Sequence, residues 1–197
     1  MGRVTRSSPA AGTPRDHGVT TPLEGIAARP WDADAVIEAP LRLHRCPVSP
    51  DWVDYNGHMS ESCYLLVFGD NADAFFRLVG VDEAYREAGR SLYTAETHLH
   101  HRREATEGEP LAVSLQLLEH DDRRVHLFHE MVHGDSGAVV ATAEQLLVHV
   151  DTGAGCSTPM PEVLRDRVAA VARAHAHLPR PAVVGRPKGI RRPGGTV

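Results

Sequence analysis

The chain has 197 residues, 42% of them hydrophobic, enough for one domain with a packed core. It has no run of eighteen apolar residues, which argues against a membrane-spanning helix, and its first residues, MGRVTRSSPAAGTPRDHG, lack the apolar segment of a secretory signal. The net charge of −5 conceals a division: residues 41–179 carry 12 basic and 21 acidic side chains, net −9, a balance that excludes broad-face nucleic-acid binding.

Residues 1–40 are rich in Pro, Ala, Gly and Thr, show no sustained period, and are expected to be a disordered or loosely attached leader. LRLHRCPV, from Leu41, alternates apolar and polar and reads as a strand that stops near Pro47 and Pro50. Residues 50–59 form a loop. Ser60 is placed to cap a helix, and Glu61 puts negative charge in its first turn. Tyr64, Leu65, Phe68, Ala72, Phe75, Phe76 and Val79 recur at three- and four-residue steps, and Gly80 closes the helix. Asp70, Asp73 and Arg77 are expected on its polar side. VDEAYREAGR adds a short second helix ending at Gly89.

After Arg90 the period falls to two. SLYTAETHLHHRREA, PLAVSLQLLEHD, RRVHLFHEMVHGD and AVVATAEQLLVHVD read as four long strands, joined through the turn-like TEGE, DD and GDSG. Such short links make neighbours antiparallel. Val163, Leu164, Val168 and Val171 mark a C-terminal helix. The expected architecture is α+β: an antiparallel sheet of about five or six strands wrapped around one long central helix. The domain is placed at 41–178. Residues 179–197 form a Pro/Gly-rich basic tail, expected to be flexible. Cys46, Cys63 and Cys156 are odd in number and far apart, so they suit neither a disulfide framework nor a CxxC site, and a cytoplasmic setting is expected.

The stretch WVDYNGHMSESCYLLVF, Trp52 to Phe68, carries the chemistry. A carboxylate just before a helix stands beside the unpaired N–H groups of the first turn, which favour a developing oxyanion. Asp54 can attack a carbonyl carbon directly or deprotonate a water. Gly57 supplies backbone freedom, and His58 is placed to orient Asp54 or bond the carbonyl. A second reading makes Asp54 a turn residue, since DYNG is a good turn sequence.

The run Asp54-x-x-Gly57-His58-Met59, with Tyr64 seven residues past the glycine, resembles hotdog-fold acyl-CoA thioesterases of the 4-hydroxybenzoyl-CoA thioesterase type. GRSLYTAETHLHHRREATEGEPLAV and DRRVHLFHEM followed by ATAEQLLVHVD resemble the betainyl-CoA thioesterase branch. The resemblance covers roughly residues 41–165. It implies hydrolysis of a short acyl-CoA, such as betainyl-CoA in carnitine breakdown, to free acid and coenzyme A. Asp54, Gly57, His58 and Glu61 are the implied catalytic group. The family often carries histidine where Glu61 stands here. No cofactor is implied, coenzyme A entering as part of the substrate. The family also implies a homodimer or dimer of dimers, its sheets joined edge to edge.

Arg102, Arg103, Arg123 and Arg124 at strand ends are candidates for the coenzyme phosphates. A quaternary ammonium acyl group favours an aromatic cage, for which Trp52, Tyr55, Tyr64, Phe68 and Tyr93 are candidates. Four rival readings remain. HLHHRRE offers His98, His100 and Glu104 as part of a cupin-like metal site, but a matching second motif is missing. A hotdog protein can also bind acyl-CoA without cleaving it, or dehydrate with His58 as base. Asp70 or Asp73 can replace Asp54 if the nucleophile sits on the central helix, as in a sister group of thioesterases.

Overall fold

A computed structural model describes residues 31–186. Residues 1–30 of the expected leader and 187–197 of the expected tail lie outside the described residues. The chain runs β1 (Leu41–Pro47), a 3-10 turn (Pro50–Trp52), α1 (Glu61–Val79), α2 (Glu83–Glu87) and β2 (Arg90–His101). It continues through β3 (Pro110–His120), β4 (Arg124–His133), β5 (Val139–Asp151), a two-residue β6 (Cys156–Ser157) and α3 (Glu162–His175). The anticipated order of strand, long helix and four strands is therefore present, with β6 added.

The strands pair antiparallel in the order β1-β3-β4-β5-β2, and β6 pairs with β5 at Val150 and Asp151. Connection length accounts for part of this order. The short turns keep β3, β4 and β5 adjacent, but the TEGE link, expected to make β2 a neighbour of β3, does not: the chain leaves the sheet at Arg102 and Arg103 and β2 lies beyond β5. The central helix packs against β1 and β3. Its residues Tyr64, Val67, Phe68, Ala72, Phe75 and Val79 are buried, and Phe68 and Phe75 are fully so. Removing a ring such as Phe75 from this position costs about 3–5 kcal/mol. Phe75 and Val79 join Leu115, Leu127 and Leu147 of the sheet and Leu164, Val168 and Val171 of α3 in one core cluster. Phe68 and Tyr64 join Val113, Met131 and Ala143 in a second.

Gly80 takes the left-handed conformation at φ 95°. Its N–H donates to Arg77 O and the Val81 N–H to Phe76 O, which closes the C-terminal carbonyls of α1.

Three further expectations are corrected. Asp70 is buried at 5% exposure rather than on the polar side. β1 curls around that flank of the helix and brings His44 Nε2 to 3.9 Å from its carboxylate. Leu65, expected in the buried stripe, is 45% exposed. β2 ends at His101, because the amides of Arg102 and Arg103 both turn to Val140 O, at 2.9 and 3.1 Å, and draw the chain out of the sheet. Ahead of β1, Trp31 and Ile37 pack on the first core cluster, and His175 Nε2 donates to Glu38 O at 3.0 Å. The start of the tail also has partners. Gln116 Nε2 donates to Pro179 O at 3.3 Å, and Gly185 N to Glu144 Oε2 at 2.8 Å.

Candidate active site

The loop between β1 and α1 closes on itself. Val53 and Met59 form an antiparallel bridge. Inside it Asp54 N donates to His58 O at 2.9 Å and Gly57 N to Asp54 O at 3.0 Å. Gly57 turns at φ 79°, where side chains are disfavoured, and a Cβ there would meet nothing within 4 Å. The turn itself therefore requires glycine; close approach of other atoms in this chain does not. Asp54 Oδ1 accepts from Asn56 N at 2.8 Å, an Asx turn of the kind DYNG suggests. One carboxylate oxygen thus holds the loop, and no hydrogen bond from the described residues takes Oδ2.

Ser60 sits at the N-cap of α1, but its side chain makes no capping bond. Its N–H is held by Trp52 O at 2.8 Å, and Cys63 N donates to Ser60 O at 3.0 Å. The Glu61 and Ser62 amides are left without a side-chain cap at the positive end of a 19-residue helix.

The segment between β2 and β3 is tied to this loop through the main chain. Met59 N donates to Ala105 O at 2.8 Å, while Val48 N and Gly108 N bond Glu109 O and Val48 O, each at 2.9 Å. Between the two segments opens a pocket of about 360 Å³. Asp54, Asn56, His58, Met59, Glu61 and Tyr64 line it from one side, and His101, Arg102, Arg103 and Glu104 from the other. Tyr64 meets the His101 ring edge-on, centroids 4.8 Å apart, and its hydroxyl donates to Arg103 O at 3.5 Å. Burial, with Glu104 and Glu109 adding to it, raises the Tyr64 phenol above its ordinary pKa. His58 Nε2 lies 3.3 Å from Glu104 Oε2.

Of the residues singled out from sequence, Asp54, His58, Glu61, Tyr64, Arg102 and Arg103 converge here, with Gly57 shaping the turn. The expected aromatic cage does not assemble within one chain. Trp52 packs on the second core cluster, Phe68 is fully buried, and Tyr55 is 97% exposed. Tyr93 pairs with Val148, which pairs with Arg124, so Tyr93, Arg123 and Arg124 share the opposite end of the sheet. There Arg124 Nη2 meets Asp121 at 2.6 Å and Arg123 Nη1 donates to Ser157 O at 3.0 Å.

Asn56, Met59, His101 and Glu104 are site-lining residues not singled out for this pocket from sequence. Glu104 drew notice only as a metal ligand with His98 and His100. In the structure His98 shares a different pocket with His126 and Glu144, and Glu104 pairs with His58. The helix carboxylates stand apart from the pocket. Asp73 binds Arg77 at 2.9 Å. Asp70 adjoins Cys46, whose thiol is pushed up to about 12 by burial and then by Asp70.

The family model of the Thioesterase-like superfamily matches residues 48–168, which contain every element of this pocket. The chain belongs to the thioesterase-like superfamily. This thioesterase-like chain is 42% identical over 151 residues to a betainyl-CoA thioesterase of Pseudomonas aeruginosa, covering 76% of this chain and 95% of that protein. It is 48% identical over 153 residues to the L-carnitine dehydrogenase/betainyl-CoA thioesterase of Rhizobium meliloti, covering 78% of this chain and 31% of that protein. The chain spans about a third of the length of the fused relatives it matches. A Staphylococcus aureus protein in complex with CoA shares the fold at TM-score 0.73 and 24% identity, covering 78% of this chain and 98% of that one. A putative thioesterase of Pseudomonas putida superposes at TM-score 0.69 with 28% identity, covering 79% and 99%. The curled sheet around α1 is the hotdog fold expected from the sequence.

Proposed function

We propose that this chain hydrolyses an acyl-CoA thioester, with betainyl-CoA as the acyl donor, to free acid and coenzyme A. The observation that carries the reading is the placement of Asp54: its carboxylate lines the same pocket as the start of a helix whose first amides have no side-chain cap. A thioester carbon seated between them meets a carboxylate oxygen on one side. Its carbonyl oxygen meets the Glu61 and Ser62 amides, whose charge complements the tetrahedral oxyanion. Asp54 either bonds the carbon and expels the thiolate, leaving an anhydride that water opens, or takes a proton from the water that attacks. Neither route needs a group beyond these side chains and water. His58 serves in bonding the carbonyl or orienting the attacking oxygen.

Arg102 and Arg103 at the pocket suit the coenzyme phosphates. The outer edge of β2 has no strand partner among the described residues. Pairing of two copies across that edge would form a homodimer and bring the end of the partner's sheet that bears Tyr93, Arg123 and Arg124 toward this pocket. Those residues then serve the neighbouring site rather than their own. No described helix is long and apolar enough to cross a membrane.

The test is Asp54→Asn. The amide oxygen can still accept from Asn56 N, so the turn and the fold are kept. Thiol release from betainyl-CoA is expected to fall about 10²–10⁴-fold; undiminished release would remove Asp54 from the mechanism.

A further inference from the structure

A betainyl group carries its trimethylammonium one methylene from the carbonyl carbon, so whatever surrounds the reacting carbon also surrounds the cation. The described residues around that position offer one tyrosine, Tyr64, whose ring is 3% exposed and turned edge-on to His101. They offer three carboxylates, from Asp54, Glu61 and Glu104. Glu104 Oε2 lies 3.3 Å from His58 Nε2, a contact that holds the carboxylate beside the loop bearing Asp54. Glu61 opens α1 directly beyond that loop. Both side chains face water in the free chain, and a thioester filling the pocket displaces that water and strengthens their field.

Resting on the proposed function, we infer that Glu61 and Glu104 are its specificity residues, selecting a cationic acyl group by charge. For a neutral acyl group, two extra carboxylates beside the reacting carbon oppose the negative charge that grows on the carbonyl oxygen. For betainyl the fixed cation attracts both carboxylates in the bound state. It also offsets the oxyanion at the transition state, so kcat/KM rises for the cation and falls for its neutral counterpart. Arg102 and Arg103 border the same pocket. The proposed function assigns them to the coenzyme phosphates.

The decisive comparison uses betainyl-CoA and 3,3-dimethylbutanoyl-CoA, in which carbon replaces nitrogen at nearly the same shape. Wild-type protein is expected to favour betainyl-CoA in kcat/KM by about tenfold or more. The ratio of the two kcat/KM values, each measured on the same variant, is expected to drop about tenfold in Glu104→Gln combined with Glu61→Gln. It should invert in Glu104→Lys. An unchanged ratio in these variants, or no wild-type preference, overturns the inference while leaving thioester hydrolysis standing. A second arm is independent of turnover: binding of glycine betaine and of 3,3-dimethylbutanoate by calorimetry. If neither thioester is cleaved, the thioesterase reading fails. The inference then survives on weaker betaine binding in the double variant with unchanged binding of the neutral acid, and falls if both bind alike.

Discussion

Asp54 meets two demands with one side chain, because Oδ1 is spent on the Asn56 amide while the residue also faces the pocket. A free carboxylate on a mobile loop would have to be ordered at every turnover, and the Asx turn removes that cost beforehand. Residue-scale reading of the sequence found this carboxylate, His58, Glu61 and Tyr64, because the chemistry lies within one short run. It could not find His101 and Glu104, which arrive forty residues later through the Met59–Ala105 backbone bond. Nor could it tell that Asp70 is buried, since a helix flank is polar or covered according to where a remote strand passes. Further inside, Asn71 Nδ2 donates to His129 Nδ1 at 2.9 Å, which places the proton of the neutral ring on Nε2. His129 is fully buried, and burial lowers its pKa to about 4. The unfolded chain takes up this proton near pH 6.5 and the folded chain only near pH 4. The contribution of neutral His129 to stability is thus complete above about pH 6.5, falls away as the pH drops toward about 4, and is level below that. Denaturant unfolding at pH 7, 5.5 and 4 should show this loss, and His129→Gln should flatten its slope.

Periodicity located α1, α3 and the four long strands to within a few residues, because one buried face per element repeats at 3.6 or 2. It failed where an element ends for tertiary reasons. The pattern in HLHHRRE continues past His101, yet Val140 O takes two successive amides and ends β2 there. The same limit applies at the other end of α1. Gly80 was legible as a stop signal, but its second constraint was not. A Cβ at Gly80 would run into the Arg167 guanidinium, which donates to Val79 O at 3.1 Å and lies 5.8 Å over the Trp31 ring. Gly80→Ala therefore combines a strained φ with displacement of Arg167. We expect a loss of about 1–2 kcal/mol from the backbone alone, read as a lower thermal midpoint with no change in the ratio of activities toward different acyl-CoAs, since Gly80 closes the helix end away from the pocket.

For the whole molecule, the fold class was readable because five strands and one apolar helix leave few ways to bury a sheet face. Strand order was only partly readable: short turns fix β3-β4-β5, but TEGE wrongly implied that β2 adjoins β3, whereas the segment after β2 crosses the sheet. That crossing leaves β2 as an edge and separates Tyr93, Arg123 and Arg124 from the pocket within one chain. If two copies pair there, activity per chain should fall on dilution in step with the dimer fraction seen by analytical ultracentrifugation. A fully active monomer would show that one chain completes the site. The backbone bonds from Met59 to Ala105 and between Val48 and Gly108 have a wider consequence. Both run between peptide groups, so replacing side chains at 101–104 leaves the tether between the two segments uncut. Descendants of this scaffold can therefore exchange the residues that greet the acyl group, one at a time, without loosening the machinery that breaks the sulfur ester.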